Sequence, residues 1–556
     1  MDGAERRRRL KPFAKGAAAP RPEMEKRNVG TASRKGRSTP ARRPASSTPV
    51  GIVGAGTMGS GIAMVALAAW RTVVLVDPLP GAIGRAEAYL HKHLNKPGKR
   101  ASLDRLTLSG DLEALAGCGL VIEAAPEDLA LKRDLFARLD AICPAPTLLA
   151  TNTSTLSVTA IAAATTDPER VGGLHFFNPA PLMPLVEVAR GARTSDATLR
   201  GLVSAVESFG KTPVVTDDTP GFIVNRVARP FYGEALRIAA EGVADFEQID
   251  RIAEQGGGFR MGPFRLMDLI GLDINLAATR SMYEQTFGEP RYRPHPLQVR
   301  MVEQGRLGRK TGRGFYEYAE SHALAAEDEP PAPGEPAEGL VVVSEGSWGP
   351  GVTEALLEAG YTLHEAHGSL PVAGVILAGV EERLREHVHR LDRALPSTQP
   401  LLVQCADVSL GELLTGCQHP DRVVGFDGLF FGEGSVVSLV GSGGTRSDIR
   451  HAAGALVAAT GRRSEFIEDG PGLVLPRLVC ALANEAAFAL ADGTADEPTI
   501  DLAMRLGANY PHGPLAWARR IGLARVVRVM DHLHAELGED RYRTAPLLRR
   551  WARGGT

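Results

Sequence analysis

A glycine-rich turn near the start of the chain is the feature that most restricts its fold. Gly54-x-Gly56-x-x-Gly59 directly follows the β-branched run 50–53 and opens a helical segment. Glycines at this spacing allow a tight turn, let the backbone approach a pyrophosphate, and direct the free N–H groups of a helix N-terminus toward it. Asp77 ends the next apolar run, about 20 residues after the turn, where a ribose-binding acid is expected. The motif therefore predicts a dinucleotide-binding domain.

The cofactor that this motif favours is NAD. Asp77 can accept hydrogen bonds from both ribose hydroxyls, and its negative charge would repel the additional phosphate of NADP. The glycines could instead form a turn in some other α/β domain, but the strand, the helix and the acidic residue are all in place. The residues that we expect to contact the cofactor here are Gly54, Gly56, Thr57, Met58, Gly59 and Asp77.

Apolar runs alternate with helical segments in the first part of the chain. Strand-like runs at 50–53, 72–76, 120–122 and 147–150 are separated by helical patterns such as 129–142. This alternation predicts a doubly wound parallel sheet of the Rossmann type. The strand pattern then stops, and amphipathic helical patterns predict a separate all-α domain.

The sequence repeats itself at an offset of roughly 250 residues, which is the length of a whole two-domain unit. Four segments recur in the same order. Thr147-Leu148-Leu149-Ala150 is echoed by Pro400-Leu401-Leu402-Val403, Pro220-Gly221-Phe222 by Pro471-Gly472-Leu473, Ile249-Asp250 by Ile500-Asp501, and Gly262-Pro263 by Gly513-Pro514. The repeat predicts a duplication in which a degenerate second Rossmann-like unit is followed by a second helical domain.

The predicted fold class is therefore α/β, with the two Rossmann-like units each followed by an all-α domain. The predicted boundaries are a basic tail at 1–48, an NAD-binding Rossmann domain at 49–218, a helical domain at 219–320, a linker at 321–338, a degenerate Rossmann-like domain at 339–466 and a second helical domain at 467–556. The tail is rich in Arg, Lys, Pro, Ser and Ala, and we expect it to be disordered. It is either a solvated extension, the result of a misplaced start codon, or a segment for targeting or nucleic-acid binding.

Charge and cysteine content narrow the class of function. The formal net charge of −2 offers no global attraction to nucleic acid or to an anionic membrane. The 5 cysteines are scattered without C-x-x-C pairs, as is typical of a reduced cytosolic protein, and zinc binding is not expected. No apolar stretch of the sequence is long enough to span a bilayer. We expect a cytoplasmic protein that acts on a small molecule without a metal.

Four polar residues in the later part of the first unit are candidates for chemistry: Ser154, His175, Glu187 and Asn225. Oxidation of an alcohol needs a base to take the hydroxyl proton, and histidine titrates near neutral pH. A carboxylate bound to the other ring nitrogen would fix the tautomer and stabilise the imidazolium. Each residue also has an ordinary structural explanation, because His175 could be a core residue and Ser154 a helix cap. Their occurrence together after a dinucleotide motif favours an NAD-dependent dehydrogenase.

The motifs of residues 49–318 resemble those of the 3-hydroxyacyl-CoA dehydrogenase family. The segments that carry the resemblance, in family order, are Gly54 to Gly59, Asn152-Thr153-Ser154, His175-Phe176-Phe177-Asn178-Pro179, Gly221-Phe222-Ile223-Val224-Asn225-Arg226 and Lys310-Thr311-Gly312-Arg313-Gly314-Phe315-Tyr316. The resemblance implies that His175 is the general base, that Glu187 orients it, and that Ser154 and Asn225 contact the reacting end of the substrate.

The resemblance also implies further binding residues. Glu123 corresponds to an acidic residue beside the nicotinamide half of the cofactor, and Lys132 and Asn152 correspond to other cofactor contacts. The basic residues Lys92, Lys96, Lys99 and Arg100 fall in the helical arm where the family binds the nucleotide of CoA. Positive side chains there would neutralise CoA phosphates, and a solvated helix face is the alternative explanation.

The second copy lacks the candidate catalytic residues. Aligning it with the first places Asp407 at the position of Ser154, Asp427 near His175, Gly441 near Glu187 and Pro476 at Asn225. Its glycine turn is also altered, because Gly346-x-Trp348-x-x-Gly351 has an indole where the backbone should approach a pyrophosphate. We expect the second Rossmann-like unit to be structural.

The predicted activity is NAD-dependent oxidation of the 3-hydroxyl group of a 3-hydroxyacyl-CoA. Longer members of the family with duplicated helical domains include bacterial enzymes that act in phenylacetate degradation, so the resemblance points to 3-hydroxyadipyl-CoA, or to 3-hydroxybutyryl-CoA, as the substrate. A dehydrogenase of a free hydroxy acid or sugar acid, and a nucleotide-binding protein without catalysis, are the alternatives. No nucleic-acid or membrane partner is expected. The helical domains are expected to pair, either in a homodimer or as an intramolecular pseudo-dimer.

Overall fold

The structure is a computed structural model, and it describes residues 48–94, 100–318, 341–343, 352–361, 363–364, 374–377 and 381–555. The chain divides into two units, Met1–Ala45 and Ser46–Thr556, and the described residues all belong to the second. The predicted basic tail, up to residue 47, and the predicted linker at 321–338 lie outside the described residues.

The first sheet has eight strands. They are β1 (Val50–Val53), β2 (Val73–Val76), β3 (Leu106–Ser109), β4 (Leu120–Glu123), β5 (Leu148–Thr151), β6 (Val171–Phe176), β7 (Leu185–Arg190) and β8 (Thr212–Asp217). Their spatial order is β3-β2-β1-β4-β5-β6-β7-β8. All neighbouring pairs are parallel except β6 and β7, which are antiparallel. The predicted doubly wound sheet is confirmed, with one reversed strand that the sequence pattern did not reveal.

Helices cover both faces of this sheet. They are α1 (Thr57–Ala68), α2 (Pro80–Leu94), α3 (Leu129–Ile142), α4 (Val158–Ala162) and α5 (Asp196–Ser208). Because β1, β4 and β6 are buried on both faces, their residues are apolar almost without interruption. Two separate clusters of buried apolar side chains result, one with α1, α2 and α5 and the other with α3 and α4.

A helical region follows β8. Its helices are α6 (Val224–Val227), α7 (Arg229–Ala240), α8 (Phe246–Arg251), α9 (Pro263–Ile270), α10 (Leu272–Gln285) and α11 (Pro296–Glu303), with a π-helical turn at Ile252–Gly256. Asp245 caps α8 through a capping box with Gln248. None of the helices in the described ranges combines the length and the apolar character needed to cross a membrane.

The second sheet repeats the plan of the first. Its strands are β9 (Val341–Val343), β10 (Leu363–His364), β11 (Gly374–Leu377), β12 (Leu401–Gln404), β13 (Val423–Phe426), β14 (Val436–Gly441) and β15 (Arg463–Ile467), in the order β10-β9-β11-β12-β13-β14-β15. The pair β13 and β14 is antiparallel, as β6 and β7 are in the first sheet. In the described part of this sheet, no strand occupies the place that β3 has in the first.

The helices of the second copy also match those of the first. They are α12 (Val352–Glu358), α13 (Glu381–Ala394), α14 (Leu410–Leu414), α15 (Ser447–Ala459), α16 (Leu475–Ala491), α17 (Glu497–Gly507), α18 (Pro514–Ile521), α19 (Leu523–Leu537) and α20 (Pro546–Ala552). Equivalent helices are capped alike, since Ser157 and Ser409 cap α4 and α14 while Asp245 and Asp496 cap α8 and α17. The duplication predicted from the sequence is confirmed in this agreement of elements and caps.

The two helical regions form one shared core. Helix α16 packs against α7, and 14 of its 17 residues are buried. A helix that is apolar nearly all round has to be covered on every side, and α16 is covered by helices of both copies. A single cluster of buried side chains therefore runs from α6 and α7 through to α19 and α20.

Two buried ion-pair clusters join the copies, and they are related by a pseudo-two-fold axis. Arg226 donates to Glu485 Oε1 at 3.0 Å, and the equivalent Arg477 donates to Glu234 Oε2 at 2.9 Å. Tyr292 donates to Glu485 at 2.6 Å, as its equivalent Tyr542 donates to Glu234 at 2.8 Å. Such reciprocal contacts are those of an isologous interface, here formed within one chain. Burial opposes the charge of Glu234, but the nearby arginines, led by Arg477, outweigh it and lower the pKa of Glu234 to about 2.

Each helical region also contacts the sheet of the other copy. Helix α17 packs against β7 and β8, and the π-helical turn packs against β14. A Cβ at Gly507 would lie 2.7 Å from Leu185 and 2.8 Å from Val224, and one at Gly256 would lie 3.0 Å from the carbonyl oxygen of Val436. These close approaches need glycine, so the second helical region is fitted directly against the strands that carry the candidate site.

Candidate active site

The glycine turn has the conformation that the motif predicts. Gly54 has φ +99°, and a Cβ there would lie 2.6 Å from the carbonyl oxygen of Ala124. A Cβ at Gly59 would lie 1.8 Å from the carbonyl oxygen of Gly54. Both positions therefore exclude any side chain, the first because of its left-handed conformation and its neighbour, and the second because α1 approaches β1 so closely.

Gly56 differs from the other two glycines, because a Cβ there would meet no protein atom within 4 Å. It precedes the first residues of α1, Thr57 and Met58, at the carboxyl end of β1. The N–H groups of the first helical turn have no intrahelical partner and form a site for an anion. An open glycine in front of a helix N-terminus fits the pyrophosphate of a dinucleotide.

Asp77 lies at the end of β2 beside this turn. Its carboxylate accepts the N–H of Ala55 at 2.8 Å and the N–H of Leu79 at 2.9 Å. These bonds fix the side chain against the glycine turn, and each carboxylate oxygen retains further capacity to accept hydrogen bonds from ribose hydroxyls.

Glu123 and Lys132, predicted to contact the cofactor, form a buried ion pair. Both side chains are buried, with 0% and 1% exposure, and Lys132 Nζ lies 2.6 Å from Glu123 Oε1. The other oxygen of Glu123 accepts the hydroxyl of Thr151 at 2.7 Å. In this structure the two residues support the end of β5 from inside. Their contact with the cofactor stays a prediction.

Glu127 is a residue of the site that sequence reasoning missed. Its Oε1 atom accepts hydrogen bonds from Thr153 Oγ1 at 2.6 Å, from the N–H of Ser154 at 3.0 Å and from the N–H of Thr155 at 3.1 Å. Burial disfavours its charge, but Lys132 and these donors outweigh burial and lower the pKa of Glu127. Glu127 thus holds the loop that carries Ser154. Glu123 and Glu127 lie in the same short segment of the sequence. Only the loop after β5, which packs against Glu127, distinguishes the roles of the two acids.

His175 and Glu187 form a buried pair. They stand opposite each other in the antiparallel register of β6 and β7, and His175 Nδ1 lies 2.7 Å from Glu187 Oε2. His175 is 6% exposed and Glu187 is fully buried. The ring of His175 also packs against Phe177 and Phe222. Within the described part of the chain, His175 Nε2 makes no hydrogen bond to protein, so the second ring nitrogen is available to a substrate.

A left-handed turn before α6 fixes the second oxygen of Glu187. Gly221 and Phe222 have φ of +76° and +49°, and the N–H groups of Ile223 and Val224 then donate to Glu187 Oε1 at 3.0 and 2.9 Å. Hydrogen bonds from two backbone donors restrict the rotation of this carboxylate. The carboxylate is therefore held between a strand and a helix start.

The other predicted site residues converge on this pair. Asn152 Oδ1 accepts the N–H of Phe176, which follows His175, at 2.9 Å. Asn225, on the first turn of α6, donates from Nδ2 to the carbonyl oxygen of Ser154 at 3.4 Å. Ser154, His175, Glu187 and Asn225 are thus brought together from four separate segments.

The predicted CoA-binding residues are described only in part. Lys92 is exposed in the last turn of α2. Lys96 and Lys99 lie outside the described residues, and only the backbone of Arg100 is described. Their contact with CoA stays a prediction.

The second copy has a different set of side chains at the equivalent places. Asp427 directly follows β13, and its N–H donates to the carbonyl oxygen of Ser438 on β14. Asp427 and Ser438 thus face each other as His175 and Glu187 do, so Ser438 is the counterpart of Glu187. The sequence alignment had placed Gly441 there, which is wrong, because Gly441 ends β14 as Arg190 ends β7. Burial raises the pKa of Asp427 to about 7. The turn at Gly346 lies outside the described residues.

Family comparisons match the first copy and the helical region of the second. Residues 49–219 match the family described as 3-hydroxyacyl-CoA dehydrogenase, NAD binding domain. Residues 221–318 match the C-terminal domain of the same family, and residues 472–556 match that domain a second time. The repeated match agrees with the second helical region seen in the structure.

Relatives of known sequence or structure extend the match over nearly the whole chain. The 3-hydroxyadipyl-CoA dehydrogenase of Escherichia coli K12 is 39% identical over 516 residues, which cover 90% of this chain and 97% of that protein. The 3-hydroxybutyryl-CoA dehydrogenase of Clostridioides difficile is 42% identical over a match that covers 48% of this chain and 98% of that protein. A crystal structure of 3-hydroxybutyryl-CoA dehydrogenase from Escherichia coli K12 aligns with a TM-score of 0.74 and 38% identity, covering 91% of this chain and 98% of that one.

Proposed function

We propose that this chain oxidises the 3-hydroxyl group of 3-hydroxyadipyl-CoA or 3-hydroxybutyryl-CoA to a ketone. The chain belongs to the 3-hydroxyacyl-CoA dehydrogenase family and is an NAD-dependent oxidoreductase. The observation that carries this proposal is the buried pair of His175 and Glu187, 2.7 Å apart, near the end of the sheet where the glycine turn lies. The two substrates are those named for the relatives above.

His175 is the proposed general base. Oxidation of a secondary alcohol removes a proton from oxygen and a hydride from carbon, and His175 Nε2 would take the proton. NAD, when bound, supplies the hydride acceptor. Because Nδ1 is bound to Glu187, the tautomer with a free lone pair on Nε2 is favoured before the reaction. Glu187 would then stabilise the imidazolium, and its hydrogen bonds from Ile223 and Val224 keep it in place.

Ser154 and Asn225 are proposed to contact the reacting end of the substrate. Ser154 follows β5 on a loop that Glu127 fixes through several hydrogen bonds, so its hydroxyl has a defined position. Asn225 Nδ2 is 3.4 Å from the carbonyl oxygen of Ser154, a long hydrogen bond that a substrate oxygen could replace. A hydroxyl and an amide that lie side by side near His175 would orient the 3-hydroxyl group toward Nε2.

The proposed cofactor contacts begin with Gly54, Gly56 and Gly59 for the pyrophosphate and Asp77 for the adenine ribose. Asn152 lies near the carboxyl ends of β5 and β6, so its contact with the cofactor is proposed as well. For Glu123 and Lys132 we propose support of this edge. Lys92 and its basic neighbours are proposed to meet the phosphates of CoA.

We propose that the second copy takes the place of a partner subunit. Its helix α17 lies against β7 and β8, and its Glu485 pairs with Arg226, the residue after Asn225. The two helical regions bury one common apolar core, so each would expose a large apolar surface alone. We also propose a cytoplasmic location, supported by cysteines that are all free thiols.

A panel of substrates tests the proposed function. The purified protein is given 3-hydroxyadipyl-CoA, 3-hydroxybutyryl-CoA and the corresponding free acids with NAD, and NADH formation is followed by absorbance. We expect turnover of the thioesters alone. Turnover of the free acids would favour a hydroxy-acid dehydrogenase. A correctly folded protein that turns over none of these substrates would favour a protein without catalysis. With the preferred thioester, NADP should support a specificity constant at least about tenfold lower than NAD, because Asp77 would meet its phosphate.

A further inference from the structure

A buried arginine without a carboxylate partner lies one helical turn after Asn225. Arg229 is 6% exposed, and its Nε donates to the carbonyl oxygen of Asn225 at 2.8 Å. Its Nη1 donates to Thr279 Oγ1 at 3.0 Å and to the carbonyl oxygen of Asn275 at 3.4 Å. All of these acceptors are neutral. Among the described residues, no Asp or Glu lies within 4.0 Å of the Arg229 guanidinium, although buried charges are normally paired.

The surroundings of Arg229 contain further donors without partners. Tyr510 Oη and Asn275 Nδ2 are buried and make no hydrogen bond in the described structure. Tyr232 lies under the guanidinium, with its ring centroid 5.0 Å from Cζ, and both tyrosines interact electrostatically with Arg229. Unsatisfied buried donors are costly, so two of them beside one cation indicate a place for an anion that accepts their hydrogen bonds.

The equivalent positions of the second copy show that the fold itself does not need this cluster. Arg229, Tyr232, Asn275 and Thr279 correspond to Cys480, Ala483, Val526 and Met530, which are all buried. The same helices therefore pack with apolar side chains where no catalytic residues are present. The polar cluster occurs only beside Asn225 and the other candidate catalytic residues.

We propose that Arg229, together with Tyr510 and Asn275, binds a carboxylate at the far end of the acyl chain, and so selects dicarboxylic 3-hydroxyacyl-CoA substrates. This inference rests on the proposed function. Residues four apart on a helix are separated by about 6 Å along its axis. In 3-hydroxyadipyl-CoA, only two methylene groups separate the hydroxyl-bearing carbon from the carboxylate. A substrate whose hydroxyl lies near Asn225 could therefore reach Arg229 with its carboxylate. Tyr510 comes from the second copy, which would then contribute directly to the substrate site.

The test compares 3-hydroxyadipyl-CoA with 3-hydroxyhexanoyl-CoA, which has the same chain length and a methyl group in place of the carboxylate. Both carry the same CoA, so contacts to its phosphates cancel in the ratio of their kcat/KM values. We expect the wild type to favour the adipyl substrate at least about tenfold, and R229M to lower that ratio by about 100-fold, mainly through KM. Y510F should lower it by about threefold to tenfold.

The outcomes separate the two proposals. If the wild type oxidises neither thioester, the proposed function fails. If it oxidises both, but without preference for the adipyl substrate or with a ratio that R229M leaves unchanged, only the carboxylate site is wrong. Should R229M not fold, Y510F decides, since it removes a single hydroxyl that has no partner in the described structure. An unchanged ratio in Y510F would then overturn the carboxylate site.

Discussion

Where β6 of the first copy carries His175, the corresponding strand of the second copy leads into Asp427, and where β7 carries Glu187, β14 carries Ser438. The strands keep the same antiparallel pairing in both copies. The helical regions show the opposite behaviour, because Arg226 and Arg477 and their glutamate partners are retained on both sides of the pseudo-two-fold axis. The chemistry of a site can thus be lost while the fold is kept, provided that the residues of the shared interface remain.

The largest difference between the copies should concern His175. H175A should lower kcat at least about a hundredfold, because a positioned base contributes that much or more. The equivalent change in the second copy, D427A, should leave kcat within about twofold, since Asp427 lies in the copy without a base. Steady-state rates and NAD binding by both variants test this. Equal losses in the two variants, or near-normal turnover in a folded H175A, would contradict the assignment of the base.

The next difference concerns the two ion-pair clusters. E485Q, in the second copy, and E234Q, in the first, should each lower the free energy of unfolding by about 2 kcal/mol, because each removes the buried carboxylate of its cluster. Arg226 and Arg477 then keep only the more exposed carboxylates of Asp492 and Glu241. Only E485Q should also lower kcat/KM, since Arg226 is adjacent to Asn225 while Arg477 is adjacent to Pro476. Chemical denaturation and steady-state kinetics measure the two effects.

D492N is the matched control for these variants. Asp492 also pairs with Arg226, at 2.5 Å, but its side chain is 54% exposed, so its loss should change stability little. If E234Q lowered kcat/KM as much as E485Q does, the idea that the second copy supports the first site through Arg226 would be wrong.

The smallest difference is a pH dependence caused by Asp427. Its pKa in the folded protein is raised to about 7 by burial, from an ordinary value of 3.8. A raised pKa means that Asp427 stays protonated to a higher pH in the folded state than in the unfolded state. The contribution of protonated Asp427 to stability is therefore complete below about pH 4 and is lost as the pH rises through about 7. D427N cannot ionise, and its amide oxygen can still accept the N–H groups of Leu429 and Phe430.

We therefore expect the free energy of unfolding of D427N to exceed that of the wild type at pH 8 and to equal it at pH 4. Denaturant titrations at both pH values measure the difference. A destabilisation of the variant that is the same at both pH values would mean that Asp427 is ionised throughout and has a structural role.

Much of the fold could be predicted because its signals are local. The glycine turn, the apolar runs β1, β2, β4 and β5, and the recurrence of Pro-Gly and Gly-Pro pairs are all visible within short windows of sequence. Strand β3 was not predicted, because its residues are only partly buried at the sheet edge and their apolar pattern is weak. The reversal of β7 depends on long-range packing, which no local pattern encodes.

The site was predictable to the extent that its residues lie in distinct motifs. Ser154, His175, Glu187 and Asn225 do, and the structure brings them together. Glu127 and Arg229 gave no such signal, because an acid at a helix start and an arginine in an amphipathic helix are both common. Only the partners of these residues in space reveal their roles. The role of Glu123 stays a prediction for the same reason, since a strand-end acid can face the cofactor or the interior.

Fusion of the two copies also changes how the interface can evolve. In a homodimer every substitution is made twice, so the two sides of an isologous contact stay identical. In this chain, equivalent positions are free to differ. Phe259 and Tyr510 occupy matching places after the π-helical turn and after α17, and their rings meet 5.1 Å apart across the pseudo-two-fold axis. The first copy has the apolar ring of Phe259, and the second has the hydroxyl group of Tyr510 near Arg229. Two identical subunits made from one gene could not differ in this way.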